Sequence, residues 1–371
     1  MKKKILFLIP NLKHGGAEKV LVNLVNNLNR EKYDITVQTL FDVGVHKDSL
    51  KEYIAYIPGL RCQFRGNSHF LKLFRPETIY KSIVRDNYDV VISYLEGATA
   101  RIVAGCKYPG TKIICWFHTE IMSPQSLSKG FRSVNEAIRL YRRFDRFVGV
   151  SERVCQAIGG YLGEGSQTSV LYNTNETEMI QQAALSEPQN TLFSPTEISV
   201  CTVGRLIPVK GFDRLLNVHK RLLDEGLKHH VYILGIGEEQ AALEQQMKTL
   251  GIEDSVTLLG FQKNPYQYVS RCDLYVCSSH REGFSTAVTE SLIVGTPVVS
   301  TNCSGAKELL GEHDEYGIVV ENSEEGIYQG MKRMLSDPEL LAHYKKQAKL
   351  RGSFFSRAET VRAVEEMLDS L

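Results

Sequence analysis

No apolar run in the 371 residues approaches the roughly 20 residues that a membrane-spanning helix needs. The eight cysteines, at 62, 106, 115, 155, 201, 272, 277 and 303, form no Cys-x-x-Cys pair. Most lie inside apolar, strand-like runs, which argues against a zinc ribbon or a disulfide framework and for buried free thiols. The first glycine turn has neither the Gly-x-Gly-x-x-Gly of a dinucleotide site nor the Gly-Lys-Ser/Thr of a P-loop. There is no Asp-x-Asp and no His/Asp cluster of metal-binding spacing. Eleven prolines and 29 glycines carry no collagen-like or low-complexity pattern. Lys2–Lys4 followed by Ile5–Ile9 resembles the start of a signal peptide, but the apolar run is too short and no small-residue cleavage site follows. The expectation is a first β-strand in a cytoplasmic protein.

What is present is an ordinary soluble composition, 43% hydrophobic and 23% charged. The length favours two domains over one. The net charge of +1 conceals a split. Residues 1–187 carry 25 Lys and Arg against 18 Asp and Glu; residues 188–371 carry 19 against 25. Halves of opposite sign suit different partners.

Strand-like runs alternate with helical ones. In the first half they are 4–10, 34–40, 89–95, 112–118, 146–151 and 169–173. Several are apolar at consecutive positions, as in strands of a parallel sheet covered on both faces. Residues 16–29 place Val20, Leu21, Leu24, Val25 and Leu28 on one helical face. Residues 186–197, with two prolines and many polar side chains, read as a linker. The alternation then restarts, with strands at 199–206, 229–235, 255–261, 273–279, 297–302 and 317–321. Helices are expected at 212–223, 238–250, 286–294, 326–335 and 356–371. The predicted fold is α/β, two facing doubly wound Rossmann-like domains (1–187 and 188–355) with an interdomain cleft. The terminal helix, 356–371, could pack back on the first domain. Ligands of such sheets bind beyond the carboxyl ends of the strands, so the cleft is the expected active site.

Three segments could carry chemistry. In S-S-H-R-E-G-F-S-T-A-V-T-E, a strand passes through a glycine loop into a helix. Glu282 lies in the loop and Glu290 about two helical turns on, within reach of different parts of one elongated ligand. The amides of Gly283, Phe284, Ser285 and Thr286 would be unpaired at the helix start, able to bind hydroxyls or phosphate oxygens. The spacing alone equally fits an N-cap with two solvated glutamates. In V-G-R-L-I-P-V-K-G-F, Arg205 and Lys210 follow a strand end, and two cations there suit a diphosphate; a bland surface pair is the alternative. In N-L-K-H-G-G-A-E-K-V, Gly15 and Gly16 permit close backbone approach where a strand meets a helix, although such turns are often only structural. His118 ends the strand I-I-C-W-F-H, where an imidazole could contact a sugar hydroxyl or serve the core.

Taken together, G-G-A-E-K-V, the strand ending in His118, F-V-G-V-S-E at 147–152, G-R-L-I-P-V-K-G-F at 204–212 and the E-x₇-E block resemble the retaining nucleotide-sugar glycosyltransferases of family 4, which have the GT-B fold. The likeness runs along nearly the whole chain. It implies that Arg205 and Lys210 bind the donor's diphosphate and that Glu290 binds the ribose. Glu282 and the amides of 283–285 would hold the donor sugar, with Gly16 approaching the phosphates. Gly260 and Phe261 would lie against the base, and His118 would touch the transferred sugar. Family members need no divalent metal. Two departures, Thr119 where an acidic residue is common and Ser285 where glycine is frequent, leave the donor sugar open.

The first half has two basic stretches with apolar neighbours, 61–76 and 131–147. In the second, Arg132, Arg139, Arg142, Arg143 and Arg146 alternate with Ile138, Leu140, Tyr141 and Phe144. A basic amphipathic surface can bind an anionic membrane, which suits a polyprenyl-linked acceptor, and a solvated face over a core fits equally. No recognition motif for nucleic acid accompanies these cations. The expectation is thus a cytoplasmic enzyme, peripheral on the inner membrane face, that takes a sugar from a nucleotide diphosphate donor, a UDP-sugar in the first instance, to a glycan or lipid-linked acceptor. Its competitors are a nucleotide-sugar epimerase of the same fold and a non-catalytic nucleotide-sugar-binding scaffold.

Overall fold

A computed structural model describes residues 2–13, 15–61, 71–163, 166–188, 193 and 197–371. The chain forms two compact units. One comprises Met1–Asn175 with Ala358–Leu371, the other Glu176–Arg357.

The first unit holds a seven-stranded sheet. Its strands are β1 (Lys3–Ile9), β2 (Tyr33–Thr39), β3 (Ala55–Ile57), β4 (Val90–Ser93), β5 (Lys112–Phe117), β6 (Arg146–Gly149) and β7 (Thr168–Val170). Their order is β3-β2-β1-β4-β5-β6-β7, all pairs parallel. Ile5 to Ile9 are buried at every position, as the consecutive apolar pattern requires of a sheet covered on both faces. The edge strand β3 escaped sequence reading because it is three half-exposed residues long. Order reverses between β1 and β4, and helices start just beyond those strand ends, at Gly16 and Ala98.

The second unit repeats the plan with β8 (Ile198–Val203), β9 (His229–Leu234), β10 (Val256–Gly260), β11 (Leu274–Cys277), β12 (Val298–Thr301) and β13 (Ile318–Val320), in the order β10-β9-β8-β11-β12-β13. Its core joins Val200, Leu215, Leu222, Val231, Leu274, Val276 and Met331. Order reverses between β8 and β11, the strands that carry the two strongest sequence motifs. The seven described cysteines are all free and buried.

The division between units falls at Asn175/Glu176, twelve residues before the expected 187/188. The cause is a helix, Thr177–Ala184, whose Ile180 packs with Tyr266 and Ile293 of the second unit. Asn264 Nδ2 donates to the carbonyl of Ala183 at 2.8 Å. At the other end the second unit runs to Arg357, two residues past the expected 355, because Arg357 pairs with Glu176 at 2.8 Å. The helix Arg357–Asp369 is bound to the first unit: Tyr33 Oη donates to Asp369 at 2.5 Å, Lys32 Nζ to the same carboxylate at 2.8 Å, and the Asn29 amide to Glu365 at 2.7 Å. A further helix, Pro338–Phe354, was not foreseen; it buries only Tyr344, Ala348 and Gly352, too narrow a stripe to read in a lysine-rich segment.

Two buried histidines tie helix Phe212–Asp224 to β9, and the half-buried Ser255 extends the chain of hydrogen bonds. His229 Nδ1 must donate to the carbonyl of Leu227 (2.8 Å), since a carbonyl only accepts. Its Nε2 then accepts from His219 Nδ1 (2.8 Å), whose Nε2 accepts from Ser255 Oγ (2.8 Å). In this arrangement both imidazoles are neutral. Burial, with the neighbouring His229 and His230, holds the His219 pKa down to about 3, and burial also lowers that of His229. The unfolded chain therefore binds more protons than the folded one below about pH 6.5. The stabilisation is complete above that pH and is lost as pH falls, by up to about 1.4 kcal/mol per pH unit for each histidine. Thermal melts should show Tm falling from pH 7 to 5.5, with a shallower slope for His219→Gln; equal slopes would refute the histidine account.

Candidate active site

In the second unit the carboxyl ends of β8 and β9 meet backbone to backbone. A Cβ on Gly235 (φ +150°) would lie 1.8 Å from the carbonyl oxygen of Gly204, and one on Gly237 2.2 Å from that of Leu206. Sequence reading missed this pair, although L-G-I-G at a strand end is its trace. The exposed Arg205 borders an open groove of about 510 Å³ with Val209, Ile236, Gly237 and Glu238. Ile236 and Phe261, both about half exposed at 52% and 54%, put large apolar side chains just past β9 and β10. Gly260 turns the chain there at φ +65°, its carbonyl taking the Gly235 amide at 2.8 Å.

Lys210 ends a 3₁₀ turn, and Gly211, left-handed at φ +60°, starts the helix Phe212–Asp224. This turn is laced to the loop after β11. Ser278 Oγ donates to the Lys210 carbonyl (2.9 Å) and the His280 amide to the Val209 carbonyl (2.8 Å). Arg214, buried, donates from Nε to the Ser278 carbonyl (2.7 Å) and from its terminal nitrogen to Asn322 Oδ1 (2.8 Å). Asn322 in turn donates to the His280 carbonyl (2.8 Å).

The lacing brings Lys210 Nζ to 2.6 Å from Glu282 Oε1. Burial would strip the lysine's proton and Arg205 pushes the same way, but the Glu282 carboxylate outweighs both and raises its pKa above the ordinary value. Lys210 is an ammonium. Ser279 Oγ donates to the same carboxylate oxygen at 2.6 Å.

After Glu282 the chain passes Gly283 and Phe284 into the helix Thr286–Val294, capped by Ser285, whose hydroxyl accepts from the Val288 amide. Among the described residues the amides of Gly283, Ser285 and Thr286 donate to no protein acceptor, as expected of a helix start. Phe284 is buried, edge-on to Phe355 at 5.6 Å. Glu290 is nearly buried and accepts from Tyr266 Oη at 3.3 Å. Sequence reading did not single out Tyr266, Ser279, Arg214 or Asn322. Tyr266, Arg214 and Asn322 act on partners far away in sequence, whereas Ser279 lies inside the S-S-H-R-E-G block, three residues before Glu282.

In the first unit the helix Gly16–Val25 begins past β1, with Gly15 extended as its N-cap. A Cβ on Gly15 would lie 1.8 Å from Glu18 Oε2, so the carboxylate folds over this turn. His118 follows β5, its Nε2 buried without a partner and its ring 4.7 Å from that of Tyr94. Burial drops its pKa to about 3, so the imidazole is neutral. Its amide donates to Glu96 Oε2 (3.1 Å) and Thr119 Oγ to Glu96 Oε1. Glu96, just past β4, was also not singled out.

Of the basic segment 61–76, residues 62–70 lie outside those described. The apolar side of 131–147 faces the core: Leu140, Tyr141 and Phe144 are buried. Three of its arginines have protein partners. Arg132 donates to the carbonyls of Lys72, Leu73 and Phe74, Arg143 to that of Cys106 and Arg146 to Ser370. The amphipathic pattern there is that of a helix packed on its own domain.

Two parallel-sheet α/β units of this kind define the GT-B class of glycosyltransferases. The Anabaena HepE structure with UDP and glucose superposes with a TM-score of 0.79 at 22% identity, covering both chains completely. A sucrose-phosphate synthase from Thermosynechococcus elongatus gives 0.78 at 14% over 100% of this chain and 99% of that one. Residues 14–178 match the model of Glycosyltransferase Family 4, and 185–351 that of Glycosyl transferases group 1. The chain belongs to this glycosyltransferase family. A Campylobacter jejuni relative, N-acetylgalactosamine-N,N'-diacetylbacillosaminyl-diphospho-undecaprenol 4-alpha-N-acetylgalactosaminyltransferase, is 29% identical over 97% of this chain and 98% of its own. An uncharacterized glycosyltransferase of Haemophilus influenzae is 27% identical over 94% and 95%.

Gly305, left-handed at φ +77°, would set a Cβ 2.8 Å from the Phe284 ring and 3.0 Å from the Gly283 carbonyl. Gly305→Ala should cost about 1–3 kcal/mol in urea unfolding. It should also weaken nucleotide binding by displacing the 283–285 loop; unchanged binding would show that this loop does not touch the ligand.

Proposed function

We propose that the enzyme transfers a hexose or N-acetylhexosamine from a UDP-sugar, with retention of configuration, to a polyprenyl-diphosphate-linked or other glycan acceptor in cell-surface polysaccharide or glycolipid synthesis. The observation that carries this reading is the ammonium of Lys210 paired with Glu282 at the end of β8 and β11, with Arg205 nearby. The acceptor class is supported by the lipid-linked substrate in the name of the Campylobacter relative, and the uridine by the UDP bound to HepE.

In this reading Arg205 and Lys210 bind the diphosphate and offset the charge that develops on it as it leaves, without calling on a metal. Glu290 accepts hydrogen bonds from the ribose hydroxyls. Ile236 and Phe261 offer apolar surface to the base. Glu282 and the unpaired amides of Gly283, Ser285 and Thr286 hold the sugar and the distal phosphate, with the glycine turn at Gly15 and Gly16 approaching the phosphates. His118, held neutral, makes a hydrogen bond to the transferred sugar and does not act as a cation. The acceptor hydroxyl attacks the anomeric carbon on the face that the diphosphate leaves. The carbon–oxygen bond to the diphosphate breaks, and the departing phosphate oxygen takes the hydroxyl proton. Glu282 then positions the sugar and stabilises the cationic anomeric carbon.

No helix among the described residues is long and apolar enough to cross a membrane. Contact with the cytoplasmic membrane face would run through Arg139 and Arg142 with the exposed Leu73 and Phe74. Arg132 fastens that segment in place by its bonds to the 72–74 carbonyls.

A thermal-shift screen over nucleotide sugars tests the donor, since a ligand at 100 times its Kd adds about 2.7 kcal/mol. Lys210→Ala should abolish the shift for every donor. Glu290→Ala should weaken binding of free UDP as well, whereas Glu282→Ala should chiefly reduce transfer. An epimerase would convert donor without acceptor, and a scaffold would release no UDP with any acceptor; either result overturns the proposal.

A further inference from the structure

We propose that Ser279 is a positioning residue that holds the Glu282 carboxylate independently of Lys210, so that Lys210 can change partner from Glu282 to the donor's diphosphate while Glu282 keeps its aim. This rests on the reading of Lys210 as phosphate ligand and Glu282 as sugar ligand.

Glu282 uses one oxygen twice. Oε1 accepts from Lys210 Nζ and from Ser279 Oγ, each at 2.6 Å. Among the described residues no donor reaches Oε2, which is left for a ligand hydroxyl. The two donors differ in freedom. Lys210 carries its ammonium on a flexible four-carbon stem, which suits a group that must move. Ser279 is buried at 2% exposure, and its carbonyl accepts from Thr301 Oγ1 at 2.7 Å and from Cys303 Sγ at 3.1 Å. Thr301 is the last residue of β12, so the serine hydroxyl is referenced to the sheet.

Without ligand the carboxylate neutralises the ammonium. A diphosphate brings more negative charge than one carboxylate and draws Lys210 to itself. Glu282 would then be a carboxylate beside an anion with nothing to orient it, unless a second donor remained. Ser279 is that donor, and it keeps Oε2 directed at the sugar hydroxyls as the lysine departs. Donor binding thus exchanges an internal ion pair for a ligand ion pair and leaves the sugar contact in place.

Calorimetric titration of the full chain with UDP, and with the UDP-hexoses and UDP-N-acetylhexosamines of glucose and galactose configuration, tests this. The readout is the ratio of the UDP Kd to that of the tightest UDP-sugar. Ser279→Ala should leave the UDP Kd within about two-fold and cut the ratio about ten-fold, the loss of one hydrogen bond to a charged group. Thr301→Val, which loosens the anchor and spares the hydroxyl, should cut it by less. Glu282→Gln should bind UDP several-fold more tightly, because Lys210 no longer has a full charge to leave. Equal weakening of UDP and UDP-sugar by Ser279→Ala, or no change in either, would overturn the inference. Lys210→Ala binding UDP as well as the wild type would instead overturn the phosphate reading.

Discussion

An ammonium and a carboxylate 2.6 Å apart, Lys210 and Glu282, stand 72 residues from each other in sequence. Two loops must be brought into register for that contact, and several hydrogen bonds between them serve it. Arg214 reaches from its helix to the Ser278 carbonyl and to Asn322, and Asn322 reaches back to His280. Arg214 is buried with its hydrogen bonds made inside the protein, which fixes the turn it spans. A lysine buried without a carboxylate would tend to lose its proton; beside Glu282 the Lys210 ammonium is kept.

The parallel sheets account for where this happens. In each unit the strand order reverses next to the first strand. Loops at the carboxyl ends spread apart there, and helix starts with unpaired amides collect. In the second unit that place carries Arg205, Lys210, Glu282 and the 283–286 amides. In the first it carries the Gly15–Gly16 turn and, one strand further along, Glu96 and His118.

Much of this was legible because it is local. The helix Thr286–Val294 was read to the residue, since Ser285 is a strong N-cap and Gly295 at φ +83° a strong stop. Among the described residues twelve of the thirteen strands fall in the expected strand runs, most of them because both faces are buried. The domain boundary was displaced because Thr177–Ala184 is a polar helix whose few apolar side chains do not say which core they join. The arginines of 131–147 read as a possible membrane face for a related reason: alternation of cation and aromatic is the same whether the aromatic side meets lipid or the protein's own sheet.

Residue types and their spacing determined the class of fold and the family resemblance, and through that resemblance pointed to the charged residues of the candidate site. These follow from strand burial, from helix caps and from motifs held within about two dozen consecutive residues. Tertiary structure alone decided that Lys210 is matched by Glu282, that Tyr266 donates to Glu290, and that His118 is neutral. Each depends on burial or on an atom many residues away, and neither the dielectric around a group nor the identity of its distant neighbour is written in the local sequence.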